Sequence, residues 1–274
     1  MTLKDKIEIV GMTDTGLVRD HNEDAIGNDL GLGLAVLADG MGGHRGGEVA
    51  SAITVSTILD SLTAMRKRLQ NSNQPQTDSF RPPSLAVKDA ITQANTNVFN
   101  SSRENPQYRG MGTTVVVLLF HNDHFTVGHV GDSRLYRYRE GELEQLTIDH
   151  SLTQELLDNG FYTAEQAEHS LNKHLVTRAI GIDESVEVDL REDHTRAGDI
   201  FLLCSDGVSD MIDDQRIRTI IRDNDDDLES IANELILASN RAGGNDNISV
   251  ILARPLRPFP THNSLFSRFF DLFS

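Results

Sequence analysis

A chain of 274 residues with 38% hydrophobic content is long enough to bury one large core, and 25 Lys and Arg against 42 Asp and Glu leave a formal charge of −17. That balance excludes a binder of the nucleic-acid backbone, whose affinity comes from clustered basic side chains, and it suits the capture of cations. The single cysteine, Cys204, excludes an internal disulfide and a cysteine-rich zinc site, and fits a reducing compartment.

The N-terminus, Met1 to Lys6, runs into an alternating segment without the unbroken apolar stretch of a secretory signal, and no run approaches the roughly 18 apolar residues that span a bilayer. A cytoplasmic, soluble chain is the expectation. Gly33 to Ala38 is too short for a helix and stops at Asp39-Gly40, so it reads as a buried strand. Val49, Ala52, Ile53 and Ser56 recur at helical spacing, as do Val87, Ala90, Ile91, Ala94 and Val98. Between these helices Gln70 to Ser84 is polar, carries Pro75, Pro82 and Pro83, and reads as a surface connection.

Thr114 to Phe120, a turn at His121-Asn122-Asp123, and Phe125 to Val130 predict a hairpin that delivers Asp132. Ser151-Leu152-Thr153-Gln154 and Thr163-Ala164-Glu165-Gln166 each match the capping box, which predicts two short helices separated by Gly160. Ile200 to Cys204 reads as a strand delivering Asp206, Ile231, Leu235 and Ala238 mark a helix stopped by Gly243-Gly244, and Ile248 to Leu252 is a strand with Asp246 at its start. Strands in series with helices in pairs predict an α+β sandwich rather than a βαβ fold.

Beyond Arg254, Pro255, Pro258 and Pro260 stiffen a linker, and Leu265, Phe266, Phe269, Phe270 and Phe273 share one helical face. Residues 255–274 are therefore set apart from a catalytic domain at 1–254. The tail either packs back on the domain or docks to a partner or membrane surface.

Seven stretches place a carboxylate, an arginine or a glycine pair beside these strands: Arg19 to Asp24, Ala38 to Glu48, Gly110 to Thr114, Gly131 to Arg134, Asp149 to Ser151, Ser205 to Gly207 and Gly244 to Asn247. In this order they resemble the metal-dependent Ser/Thr protein phosphatases of type 2C, the PPM family, over roughly residues 7 to 253. The resemblance implies a four-layer α-β-β-α sandwich of two antiparallel sheets flanked by helix pairs, with a small helical flap at about 148–180 that matches bacterial members. It also implies hydrolysis of phosphoserine and phosphothreonine on proteins without a phosphoenzyme, and a bacterial Ser/Thr kinase and its substrates as partners.

Such hydrolysis needs a nucleophile at neutral pH and positive charge around the departing oxygens, which paired divalent ions supply. Hard cations such as Mn2+ or Mg2+ want oxygen ligands, and Asp39, Gly40, Asp206 and Asp246 can provide them. By resemblance Asp39 bridges two ions, the Gly40 carbonyl binds one, and Asp206 with Asp246 holds the other. Asp132 resembles the ligand of a third, weaker ion, with Ser151 nearby. Arg19 has the planar fork suited to phosphate, His44 matches the histidine that protonates the leaving oxygen, and Glu23 with Asp24 orients metal-bound water.

Any one Asp-Gly is usually a turn, but turn chemistry does not ask for all these stretches in one order. The glycine-rich loop lacks the Gly-Lys-Ser/Thr of a phosphate-binding Walker loop, Cys204 lacks the arginine-bearing loop of cysteine phosphatases, and Gly112-Thr113-Thr114 reads as structural. Leu228 stands where a calcium loop around Asp223, Asp225, Asp227 and Glu234 demands glycine, so that stretch reads as a solvated helix start. His21, His129 and His150 read as packing or supporting groups. The rival function is a non-catalytic phosphoprotein-binding scaffold on the same fold; a partner-switching phosphatase acting on anti-sigma-antagonist-like proteins shares the chemistry.

Overall fold

The computed structural model describes residues 3, 5–42, 45–66, 80–163, 166 and 175–257. In chain order its strands are β1 (Ile7–Asp14), β2 (Ala25–Asp29), β3 (Leu34–Ala38), β4 (Gly40–Met41), β5 (Gly112–Thr113), β6 (Val115–His121), β7 (His124–Val130), β8 (Arg134–Arg139), β9 (Glu142–Gln145), β10 (Asp189–His194), β11 (Ile200–Cys204) and β12 (Ile248–Pro255). The helices are α1 (Gly46–Ala64), α2 (Pro82–Glu104), α3 (Leu152–Asp158), α4 (Asp206–Ser209), α5 (Asp214–Asp223) and α6 (Leu228–Arg241).

Two five-stranded sheets form, in the orders β10-β7-β6-β3-β2 and β1-β12-β11-β8-β9, and β4 pairs with β5 beside them. Every neighbouring pair is antiparallel. Along β3 the side chains alternate: Leu34, Val36 and Ala38 pack under α1 and α2, whereas Ala35 and Leu37 face the other sheet. In the second sheet Leu202 and Cys204 face α5 and α6, while Phe201 and Leu203 face inward. Phe201 meets Phe120 and Phe125 edge to face, at 5.3 and 4.7 Å between ring centroids, which locks the two sheets together. Strands covered on both faces carry unbroken apolar runs, so their sequences show no polar alternation.

The expected hairpin, strands and helix pair are all present. The connection expected over residues 70–84 ends earlier than read, because Pro82 and Pro83 open α2: proline suits the first helical turn, where its missing N–H leaves no bond unmade. Residues 67–79 lie outside the described ones. Ser151 caps α3 by accepting from the Gln154 N–H at 3.2 Å. Thr163 and Gln166 exchange the reciprocal bonds of a capping box, although most of the segment that follows lies outside the described residues, as does the tail from 258.

Candidate active site

The ends of β3, β7 and β11 and the turn before β12 open at one edge of the sandwich and deliver Asp39, Asp132, Asp206 and Asp246 to a cavity of about 470 Å3. Arg19, Glu23 and the Gly40 backbone line the same cavity. Four segments far apart in sequence thus meet as the family resemblance implies.

Asp39 and Asp24 sit in a frame of neutral hydrogen bonds. The Asp39 N–H donates to Thr114 Oγ1 at 3.1 Å, and its carbonyl accepts from the Thr114 N–H at 2.8 Å and from Thr113 Oγ1 at 2.7 Å. Thr114 Oγ1 also lies 2.7 Å from Ser133 Oγ, which ties the Asp39 strand to the Asp132 turn. The Gly112-Thr113-Thr114 stretch is structural, as expected, and its task is to aim Asp39. Behind it the N-terminus of α1 closes on Gly40 so tightly that a Cβ on Gly40 would lie 2.2 Å from the Gly47 carbonyl oxygen. That contact explains why both positions are glycine.

The loop bearing Arg19, Glu23 and Asp24 is strapped down by Asn247. The Asn247 Oδ1 accepts from the Glu23 N–H at 2.8 Å, and its Nδ2 donates to the carbonyls of Thr15 and His21 at 2.9 and 3.0 Å. The Gly244 carbonyl accepts from the N–H groups of Leu17 and Val18. Ser205 Oγ donates to Asp24 Oδ2 at 3.0 Å and accepts from the Ser249 N–H. The roles of Asn247 and Ser205 escape sequence reasoning, since both belong to quoted motifs but carry no chemistry of their own; a buried amide beside a ligand is the only signal.

Electrostatics shows what the cavity is built for. Burial, then repulsion from Asp24, Asp206, Asp132 and Asp246, pushes Asp39 well above the usual carboxylate range. Burial followed by Asp132 and Asp246 does the same to Asp206. Asp24 rises to about 6 and Asp132 to about 7, burial again leading in both. The buried Oδ1 atoms of Asp24 and Asp206 have no hydrogen-bond partner among the described residues. Crowded carboxylates with orphaned oxygens, and no Lys or Arg but Arg19 lining the cavity, fit divalent cations with hard oxygen ligands.

Arg19 is aimed at Asp246, 2.6 Å away, rather than free in the cavity. Its side chain is half exposed, so a modest swing separates the two. Glu23 is more enclosed, and its Oε1 stands 3.3 Å from His21 Nε2. Ser151, beside Asp132 and Asp206, lines a neighbouring acidic cavity of about 340 Å3. His44 lies outside the described residues. His150 supports rather than reacts: its Nδ1 accepts from the Gly131 N–H at 3.0 Å, next to Asp132, and its ring stacks on His129. Cys204 is buried, and burial pushes its thiol up to about 12, so it is no nucleophile.

Two layers of antiparallel sheet, flanked by helices and joined at one edge by a nest of carboxylates, define a metal-dependent phosphohydrolase architecture. The chain matches the Protein phosphatase 2C family over residues 17–252 and belongs to it. It is 37% identical over 242 residues to the serine/threonine protein phosphatase PstP of Mycobacterium tuberculosis, covering 88% of this chain and 43% of that protein. This chain therefore spans less than half the length of that relative. It is 34% identical over 243 residues to the serine/threonine phosphatase stp of Listeria monocytogenes, covering 88% and 92%. The solved catalytic domain of PstP in complex with two manganese ions aligns with a TM-score of 0.76 at 34% identity, covering 91% of this chain and 98% of that one.

Proposed function

We propose that this chain hydrolyses phosphoserine and phosphothreonine on proteins with two divalent ions, Mn2+ or Mg2+. The observation that carries this reading is the convergence of Asp39, Asp206 and Asp246 on one cavity with an arginine at its rim. Asp39, the Gly40 carbonyl, Asp206 and Asp246 would hold the pair, and Asp132 a third, weaker ion. When bound, such a pair lowers the pKa of a coordinated water towards about 7 and neutralises phosphate oxygens.

The chain's own residues do the rest. Arg19 leaves Asp246 and offers its fork to two phosphate oxygens, a geometry lysine cannot supply. Glu23, fixed through its backbone by Asn247, accepts a hydrogen bond from the attacking water and orients it. His44 is proposed to protonate the leaving serine or threonine oxygen. Among the described residues the one hydroxyl side chain lining the cavity, Thr114, is already engaged with Asp39 and Ser133, which favours water rather than a side chain as the attacking group.

The sandwich is assigned to residues 1–254, with a flap at about 148–180, although Pro255 closes β12 opposite Ile7 and so belongs with it; the segment beyond either packs back on the domain or docks on a partner or membrane surface. A bacterial Ser/Thr kinase and its substrates are the proposed partners, and the cytoplasm the proposed location. Among the described residues no helix is long and apolar enough to cross a membrane. The non-catalytic scaffold reading requires a missing ligand, and Asp39, Asp206 and Asp246 all line the cavity.

The decisive experiment is Asp206→Asn with p-nitrophenyl phosphate and a phosphothreonine peptide. Manganese-dependent turnover should fall by at least about a hundredfold with the circular dichroism spectrum unchanged. Unaltered manganese-dependent turnover would refute the assignment.

A further inference from the structure

At the end of the sandwich away from the carboxylate cavity, three histidines line up across three adjacent strands. His121 closes β6, His124 opens β7 opposite it, and His194 ends β10 directly opposite His124. Asp123, in the turn between the first two, completes the group. Its Oδ1 lies 2.7 Å from His124 Nδ1 and its Oδ2 lies 3.7 Å from His194 Nδ1. One donor atom from each of Asp123, His124 and His194 falls within 4.8 Å of the others. From here β7 runs 7 residues to Val130 before the Asp132 turn, or roughly 20 Å of extended chain.

We propose that Asp123, His124 and His194 form a second metal site, selective for Zn2+ over the hard ions of the phosphatase centre. Zinc bonds of about 2.0–2.1 Å in a tetrahedron put donor atoms about 3.3 Å apart, and the three donor atoms, already within 4.8 Å of one another, reach that spacing by side-chain rotation. Two imidazoles and one carboxylate, with water as the fourth ligand, are a zinc donor set, whereas the all-oxygen centre at the other end suits Mn2+ or Mg2+. The two sites divide metals by ligand chemistry.

The surroundings are consistent with a cation there. His194 is largely exposed, its ring centroid 4.0 Å from that of His124, while His124 is buried and bonded to Asp123. Of the nearby positive charges, Arg81 is paired with Glu192, and Arg139, which donates to the His194 carbonyl at 3.0 Å, is paired with Asp199; Asp193 is paired with Arg137. His121 stacks on His124 at 6.2 Å between centroids; its Nε2 is engaged with Thr126 Oγ1, and its buried Nδ1 has no partner among the described residues. An imidazole row with an orphaned nitrogen has more ligand capacity than packing requires.

The test is calorimetric titration of the whole chain with Zn2+ at pH 7.5 in millimolar Mn2+, which loads the oxygen-lined centre first. The unmodified chain should take up one more equivalent of Zn2+ than His194→Ala, and Asp123→Asn should weaken that extra equivalent by more than about tenfold. Zinc should also raise the melting temperature of the unmodified chain but not of His194→Ala, because the ion ties the edge strand β10 to the β6–β7 hairpin. Equal zinc stoichiometry in the unmodified chain and His194→Ala would overturn the proposal, as the zinc would then be bound elsewhere, at the oxygen-lined centre or at His129, His150 and Asp189.

Discussion

Asn247 should be worth more than any single acidic residue to the placement of Arg19 and Glu23, and Asn247→Ala measures this. The substitution removes three side-chain bonds, to the Glu23 N–H and to the carbonyls of Thr15 and His21. At about 1 kcal/mol net for each, with the amide only 5% exposed and little water to replace it, the loss should approach 3 kcal/mol of unfolding free energy. The bonds from Leu17 and Val18 to the Gly244 carbonyl survive, so the loop loosens without leaving. Loosening by about 1 Å of the groups that grip phosphate costs on the order of a hundredfold in rate, so kcat/KM for p-nitrophenyl phosphate should fall by between about tenfold and a hundredfold, with KM rising. Urea denaturation and steady-state kinetics at fixed Mn2+ read the two effects separately. A stability loss with KM and kcat untouched would show that the strap serves only the fold, and a loss below about 0.5 kcal/mol would refute the bond count.

Other consequences follow from the same frame. Gly47→Ala sets a Cβ 2.6 Å from the Gly40 carbonyl carbon, which is backbone and cannot step aside; calorimetry should show weaker Mn2+ binding and denaturation a loss of about 2 kcal/mol. Asp206→Asn removes one of several mutually repelling buried acids, so the metal-free variant should be more stable than the parent by about 1 kcal/mol or more at pH 7.5, and a lower melting temperature would contradict this. Burial lowers His121 to about 3, so the unfolded chain binds a proton below about pH 6.5 that the folded chain refuses. Stability from this residue is therefore full above pH 6.5 and is lost as pH falls towards 3. His121→Gln should flatten the acid side of the stability profile by up to about 1.4 kcal/mol per pH unit, and superimposable slopes would rule the histidine out.

The fold was legible where strands are covered on both faces, because an apolar run such as Val115 to Leu119 is too short for a helix and suits a strand buried on both sides. The acids were legible because Asp39, Asp132 and Asp206 follow such runs and Asp246 precedes one. Less legible were the elements whose signal is spread thin. Helix α5 is half charged, with only Ile217, Ile220 and Ile221 buried, yet Asp213 caps it through the Arg216 N–H, and a cap followed by that spacing could have found it. Strand β10 carries Asp189, Arg191, Glu192 and Asp193, and its place at a sheet edge comes from pairing with β7, which no local pattern encodes. The pairing of Arg19 with Asp246 is equally remote, since the residues are 227 positions apart.

The carboxylates and their supports stand in opposite relations to stability. Asp39 and Asp206, buried among like charges, oppose the folded state until cations arrive, and Asp24 and Asp132 share that burden. What holds them in place is uncharged: Thr113 and Thr114 on Asp39, Ser205 on Asp24, and Asn247 on the loop of Glu23. A neutral frame fixes geometry without neutralising the acids, so their full charge remains for the ions. Basic partners in those positions would stabilise the metal-free fold and weaken its grip on metal by the same interaction. The cation pairs that do occur near the acids fit this division: Arg134 binds Asp149 and not Asp132, and among the described residues only the half-exposed Arg19 touches an acid of the cavity, from which phosphate can draw it away.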